Sequence, residues 1–194
     1  MSAKLKEGKM KYPKILGLLV VAAAALMAFA GTASATITYT GSAYTGEIAA
    51  DSSSAELDGT VDLKCDLEVK GSITNGQTTI PLSTVHFTNC GPDTMSVINN
   101  GYWRFDSNGT LYWEELEVTV LTHRSIFGFP VTTHCILFTH PNPGTDVGTL
   151  TEGTDTIHLT GTDLTRRSTD SGCGSTSLLT GTLTITKPGP LVVH

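Results

Sequence analysis

Positive charge is scarce in this sequence once its first stretch is set aside. Five of the 12 Lys and Arg residues and one of the 18 Asp and Glu residues fall within residues 1–35, leaving seven basic against seventeen acidic residues beyond, a net charge of −10 there. A domain so acidic, with Arg166-Arg167 as its only adjacent basic pair, is disfavoured as a partner of nucleic acid or of an anionic membrane. Sustained helical periodicity is absent from Thr36 onward, which excludes a helix bundle. The tail, ending Leu191-Val192-Val193-His194, is not expected to serve as an apolar anchor. Zinc-finger and zincin ligand spacings are absent too. No cysteine precedes Cys65, so the processing site described next has no lipid acceptor.

The amino-terminal stretch is of another kind. Lys4, Lys6, Lys9, Lys11 and Lys14 precede an apolar run from Ile15 to Ala30, followed by Ala33-Ser34-Ala35. A basic segment, an apolar segment and an A-x-A site together describe a secretory signal peptide, residues 1–35, cut before Thr36. The run is 16 residues long, short of the roughly 20 that a transmembrane helix needs. Met10 could equally serve as the start, since Lys11, Lys14 and the amino terminus still supply three positive charges. Residues 36–194 are expected to form a single domain, long enough for a real hydrophobic core. Its expected location is extracellular or in the cell envelope, with no membrane attachment after cleavage.

Within that domain, apolar and polar residues alternate. The cleanest case sets Val61, Leu63, Cys65, Leu67 and Val69 against Asp62, Lys64, Asp66, Glu68 and Lys70, the period of a half-buried antiparallel strand. Similar short runs occur at 36–40, 44–49, 85–90, 95–98, 116–122, 134–139, 156–159 and 179–185. Asp58-Gly59, Asn75-Gly76, Asn100-Gly101, Asn108-Gly109 and Asn142-Pro143-Gly144 separate them as turns. Short strands with frequent turns predict an all-β antiparallel sandwich, with a β-barrel as the alternative. Thr-Gly pairs recur at 40, 45, 160 and 180, at spacings too irregular for a repeat.

Four cysteines, Cys65, Cys90, Cys135 and Cys173, form an even set, which in an exported chain implies disulfides. Three pairings are formally possible. The favoured one joins Cys65 to Cys90 and Cys135 to Cys173, because sequential pairing closes two moderate loops without crossing the chain. Each would contribute roughly 3.5–4 kcal/mol by loop entropy.

The leader Leu16 to Ala30 resembles that of a family of small secreted proteins of unknown function from soil actinobacteria. The likeness extends to Val85-His86-Phe87-Thr88-Asn89-Cys90, to Thr145-Asp146-Val147-Gly148-Thr149-Leu150-Thr151 and to the close, from Cys173-Gly174 through Thr180-Gly181-Thr182-Leu183-Thr184-Ile185-Thr186-Lys187-Pro188 to Leu191-Val192-Val193. These motifs are structural punctuation, so the resemblance implies export, a β fold and paired cysteines, and no activity.

Candidates for chemistry are few. Thr133-His134-Cys135 and Asp170-Ser171-Gly172 superficially resemble the histidine and serine segments of chymotrypsin-like proteases. They lie 37 residues apart, whereas that fold separates the two by more than about 100. His123, His134, Cys135, His140 and His158 offer imidazole and thiolate without a metal-site spacing. Asp51, Glu56, Asp58 and Asp62 miss the calcium-loop pattern. Of Glu114, Glu115 and Glu117, only the last two should share a strand face, as a glycosidase pair would need. Arg166-Arg167 is expected to be a solvated loop pair.

The favoured site is the hairpin from Tyr102 to Glu115, with Asn108-Gly109 as a two-residue turn. Pairing Ser107 with Thr110 places Tyr102, Arg104, Asp106, Leu111, Trp113 and Glu115 on one face, and Trp103, Phe105, Tyr112 and Glu114 on the other. The second face is the more apolar and should point inward, leaving Tyr102, Arg104 and Trp113 as an outward patch suited to a sugar ring. A slip of one residue would reverse the faces. The expected function is thus a secreted or envelope-associated, non-catalytic binding or structural module. Its expected partner is a cell-wall glycan or a surface protein. No cofactor or metal is expected, and an extracellular hydrolase, serine-type or glycosidase, is the alternative.

Overall fold

The computed structural model describes residues 35–59, 62–139, 146–167 and 173–194. Among these, fourteen strands run in chain order as β1 (Ile37–Tyr39), β2 (Ser42–Ala43), β3 (Gly46–Gly59), β4 (Leu63–Ile73), β5 (Thr79–Thr88), β6 (Thr94–Asn99), β7 (Tyr102–Phe105), β8 (Thr110–Glu114), β9 (Glu117–Ile126), β10 (Phe129–Phe138), β11 (Asp146–Leu150), β12 (Thr156–Arg166), β13 (Thr176–Lys187) and β14 (Val192–Val193). Residues 1–34 of the expected leader, Thr60 and Val61, residues 140–145 and residues 168–172, Ser171 among them, lie outside the described residues.

Eight strands close on themselves in the order β11-β8-β7-β5-β4-β3-β13-β12, with β12 pairing back onto β11. The fold is therefore all-β, and it takes the barrel form rather than the open sandwich. Closure comes through β11, which pairs with β8 on one side and β12 on the other, removing both edges that a sandwich sheet would expose. At the far end of the long strands the sheet continues from β12 into β10, β9 and β6. β12 serves both parts: Ile157–Leu159 pair with β11, while Thr165 and Arg166 pair with β10. A small sheet, β14-β1-β2, stands apart, and Thr36 N–H donates to His194 O at 2.7 Å.

The Thr-Gly pairs at 160 and 180 fall inside strands and not at turns. Registers shift around Gly161 and Gly181, whose φ values are +100° and +143°. Such bulges bend a strand and increase its twist, which lets β12 and β13 run 11 and 12 residues from barrel to extension. At Gly181 a Cβ would stand 3.0 Å from the Ser54 carbonyl oxygen, so a side chain would crowd β3 as well as strain the backbone.

β4 buries Leu63, Cys65, Leu67 and Val69 and turns Lys64 outward, as its alternation predicts. Leu67 lies opposite Phe87, and Val69 opposite Val85. Both disulfides have the expected partners, Cys65–Cys90 and Cys135–Cys173. No cysteine is free, the covalent state that an oxidising, extracellular compartment sustains. Arg166 and Arg167 are not idle solvated charges. Arg166 donates to the Cys173 carbonyl at 2.6 Å, and Arg167 donates to both oxygens of Glu117 at 2.8 and 2.9 Å, fastening the end of β12 across to β9.

Candidate functional site

The β7–β8 hairpin forms, one residue out of the expected register. Trp103 faces Trp113 and Phe105 faces Leu111, so Asp106 takes the place opposite Thr110. The cause is the Asp106 carboxylate, whose Oδ1 accepts from the backbone N–H groups of Asn108 and Thr110, both at 2.9 Å. It stabilises a three-residue connection in place of a two-residue turn.

The slip turns β8 over. Trp113 is 0% exposed and meets Trp103 edge to face, with ring centroids 5.6 Å apart. Its Nε1–H donates to the Asn100 carbonyl at 3.0 Å. Tyr102, Arg104 and Trp113 thus do not share a surface, and the expected sugar platform has no exposed indole. On the outer face Tyr102 and Arg104 instead meet Glu114, which is only 3% exposed. Arg104 Nε donates to Glu114 Oε1 at 2.8 Å, the Tyr102 hydroxyl donates to Oε2, and the guanidinium lies 4.3 Å from the Tyr112 ring centroid. The bond to Glu114, with burial, pushes the Tyr102 phenol up to about 12. A carboxylate so fully engaged is a structural clamp over the barrel wall.

The catalytic candidates do not assemble among the described residues. His134 is exposed on β10, and Ser171 and His140 are outside the described residues. Glu115 and Glu117 do not alternate along one strand, because the chain turns between β8 and β9 with Glu115 at φ 59°. Both line a shallow cleft of about 350 Å³ with Asn99, Phe138 and Arg167, where Glu117 is held by Arg167. No group of three metal-ligating side chains occurs among the described residues. A cleft of about 680 Å³ lies between β5 and β6, whose strands are not paired with each other.

A feature that the sequence patterns did not single out stands on the other hairpin. β9 and β10 pair from Glu117–Phe138 to Ile126–Phe129, whereas β6 accompanies β9 only as far as Leu121. Beyond the buried Thr122 both strands are exposed, from His123 to Thr132. Phe127 and Gly128 form the turn, with φ 51° and 82°, the doubly positive geometry that favours Asn or Gly at its first position. Phe127 is 97% exposed, Phe129 72% and Ile126 51%, with Val131 exposed as well. Pairing places Arg124, Ile126, Phe129 and Val131 on the face that continues the core side of the sheet, and Pro130 on the other.

No family model matches this chain, and neither does any curated protein or solved structure. The site must therefore be judged on its own chemistry. Four exposed apolar side chains leave on the order of 500 Å² in water, scaled from the ~150–250 Å² that an aromatic buries. That lies near the top of the ~300–600 Å² usual for the largest apolar patch of a monomer, the size range in which such patches are often functional.

Proposed function

We propose that this chain is a secreted or envelope-associated, non-catalytic binding module that makes its contact through the tip of the β9–β10 hairpin. One observation carries this. Phe127 is unfavourable twice over, as an aromatic ring almost wholly in water and as a non-glycine residue at φ 51°. Left-handed backbone costs about 1–2 kcal/mol for an L-residue, and a side chain 97% exposed buries too little surface to offset it. A strained, exposed group points to a role outside the folded domain. Export rests on the leader and on the two disulfides. The absence of a catalytic role rests on the engagement of Glu114 and Glu117 in ion pairs.

The test compares the protein recovered from an expressing culture with a Phe127→Asn, Phe129→Thr double variant, both incubated with envelopes of the producing cells. Hairpin-dependent retention is expected. Equal retention of the two proteins would remove the hairpin from the contact.

A further inference from the structure

Building on that proposal, we infer that the hairpin tip inserts into the surface of a lipid bilayer. Residues 126–131, Ile-Phe-Gly-Phe-Pro-Val, include no hydrogen-bonding side chain, while a protein interface carries about one hydrogen bond per 100–200 Å². The apolar groups also surround the tip. Phe127 stands at the turn, Ile126, Phe129 and Val131 lie on one face and Pro130 on the other, an arrangement suited to an isotropic apolar medium and not to a one-sided groove. A second copy is the poorer occupant. The tip offers ~500 Å² where a stable interface needs about 800 Å² per partner.

Charge agrees with this placement. The domain sums to −10, yet residues 118–145 contain no acidic residue. Arg124 and His123 stand two and three residues behind Ile126, roughly 7 and 10 Å at ~3.3 Å per residue. With the tip sunk about 5–10 Å, the depth of interfacial apolar segments, the two lie at headgroup level. Among the described residues the carboxylate facing them is Asp93, which lies 3.7 Å from Arg124 Nη1 and 3.9 Å from His123 Nδ1 and is itself buried. The Arg124 side chain keeps half its surface open. From Thr122 to the turn the ribbon extends on the order of 13–16 Å, beyond the ~8 Å Debye length at physiological salt, so the acidic body is screened from the surface the tip touches. Among the described residues both ribbon edges past Leu121 lack a paired strand, which confines insertion to the hydrated interface, since unpaired backbone groups are not tolerated in the hydrocarbon.

The experiment is flotation of the processed protein, its start at Thr36 verified by mass, with vesicles of phosphatidylcholine alone and of phosphatidylcholine mixed with phosphatidylglycerol. Wild type is expected to float with both and more with the mixture. The Phe127→Asn, Phe129→Thr variant should bind at least tenfold more weakly to both, with an unchanged circular dichroism spectrum. Arg124→Gln should lose the gain from phosphatidylglycerol and keep binding to phosphatidylcholine. A wild type that ignores both vesicles, or a double variant that floats equally, overturns the lipid inference. Hairpin-dependent retention on envelopes without flotation would overturn the bilayer while leaving the hairpin as the contact. A hairpin-dependent dimer in vesicle-free solution that does not float would overturn it in favour of a second copy.

Discussion

Replacing Phe127 by Asn should make this protein more stable, an unusual outcome for removing an aromatic residue. The ring is 97% exposed, so no buried area and no cavity enter the balance. What changes is the backbone. At φ 51° an L-residue with a bulky side chain bears about 1–2 kcal/mol of strain, and asparagine, which tolerates that region, recovers much of it. A gain of about 1 kcal/mol is expected. In a domain of this size that corresponds to roughly 2–4 °C in Tm, or to a urea midpoint higher by about 0.5 M for a slope near 2 kcal/mol per M. Polar replacement of a surface apolar group also acts on the unfolded chain, by a few tenths of a kcal/mol, which leaves the sign intact. The assay is equilibrium urea unfolding followed by tryptophan fluorescence under non-reducing conditions, with the slope compared between variants. A loss of stability above about 0.5 kcal/mol would mean that the ring packs against the protein, and the exposed-tip account would fall.

Trp113→Ala should cost about 3–5 kcal/mol, as for other large-to-small core changes, with loss of near-ultraviolet ellipticity from the Trp103–Trp113 pair. A change within about 0.5 kcal/mol, typical of a surface site, would restore the outward face for Trp113. Removing Cys135–Cys173 by a double serine substitution should cost about 3.9 kcal/mol, and removing Cys65–Cys90 about 3.5, from loops of 38 and 25 residues; equal urea midpoints before and after reduction would contradict this. In an alkaline absorbance titration one phenol should ionise near pH 12, and Tyr102→Phe should abolish that component. Because the folded protein keeps this proton while the unfolded chain releases it near 10, the contribution is whole below pH 10 and is lost as pH rises from 10 toward 12. A Tyr102 that titrates near 10 would refute the bond to Glu114.

The β7–β8 hairpin shows where legibility ended. That Tyr102–Phe105 and Thr110–Glu114 are strands, and that Trp103 and Phe105 face inward, could be read from the residues. Which face of β8 joins them could not, because one carboxylate, Asp106, decides between a two-residue and a three-residue connection, and each choice points Trp113 the opposite way. The β9–β10 tip escaped for another reason. Alternation records the difference between a wet face and a dry one, and past Thr122 both faces of the ribbon are wet, so Ile126 to Val131 carries no strand period. Phe127-Gly128 is also outside the usual turn pairs, since its first residue is under strain there.

Local covalent and periodic features were decided by the residues themselves. The alternation of β4, the Asn75-Gly76 turn and the two sequential disulfides depend on near neighbours and on the short reach of the chain between them. Closure of the barrel through β11, the burial of Trp113 and the isolation of an apolar fingertip were decided only by the assembled fold. Each depends on which strand lies beside which, and a period of two residues says that a strand has two faces without naming what covers either one.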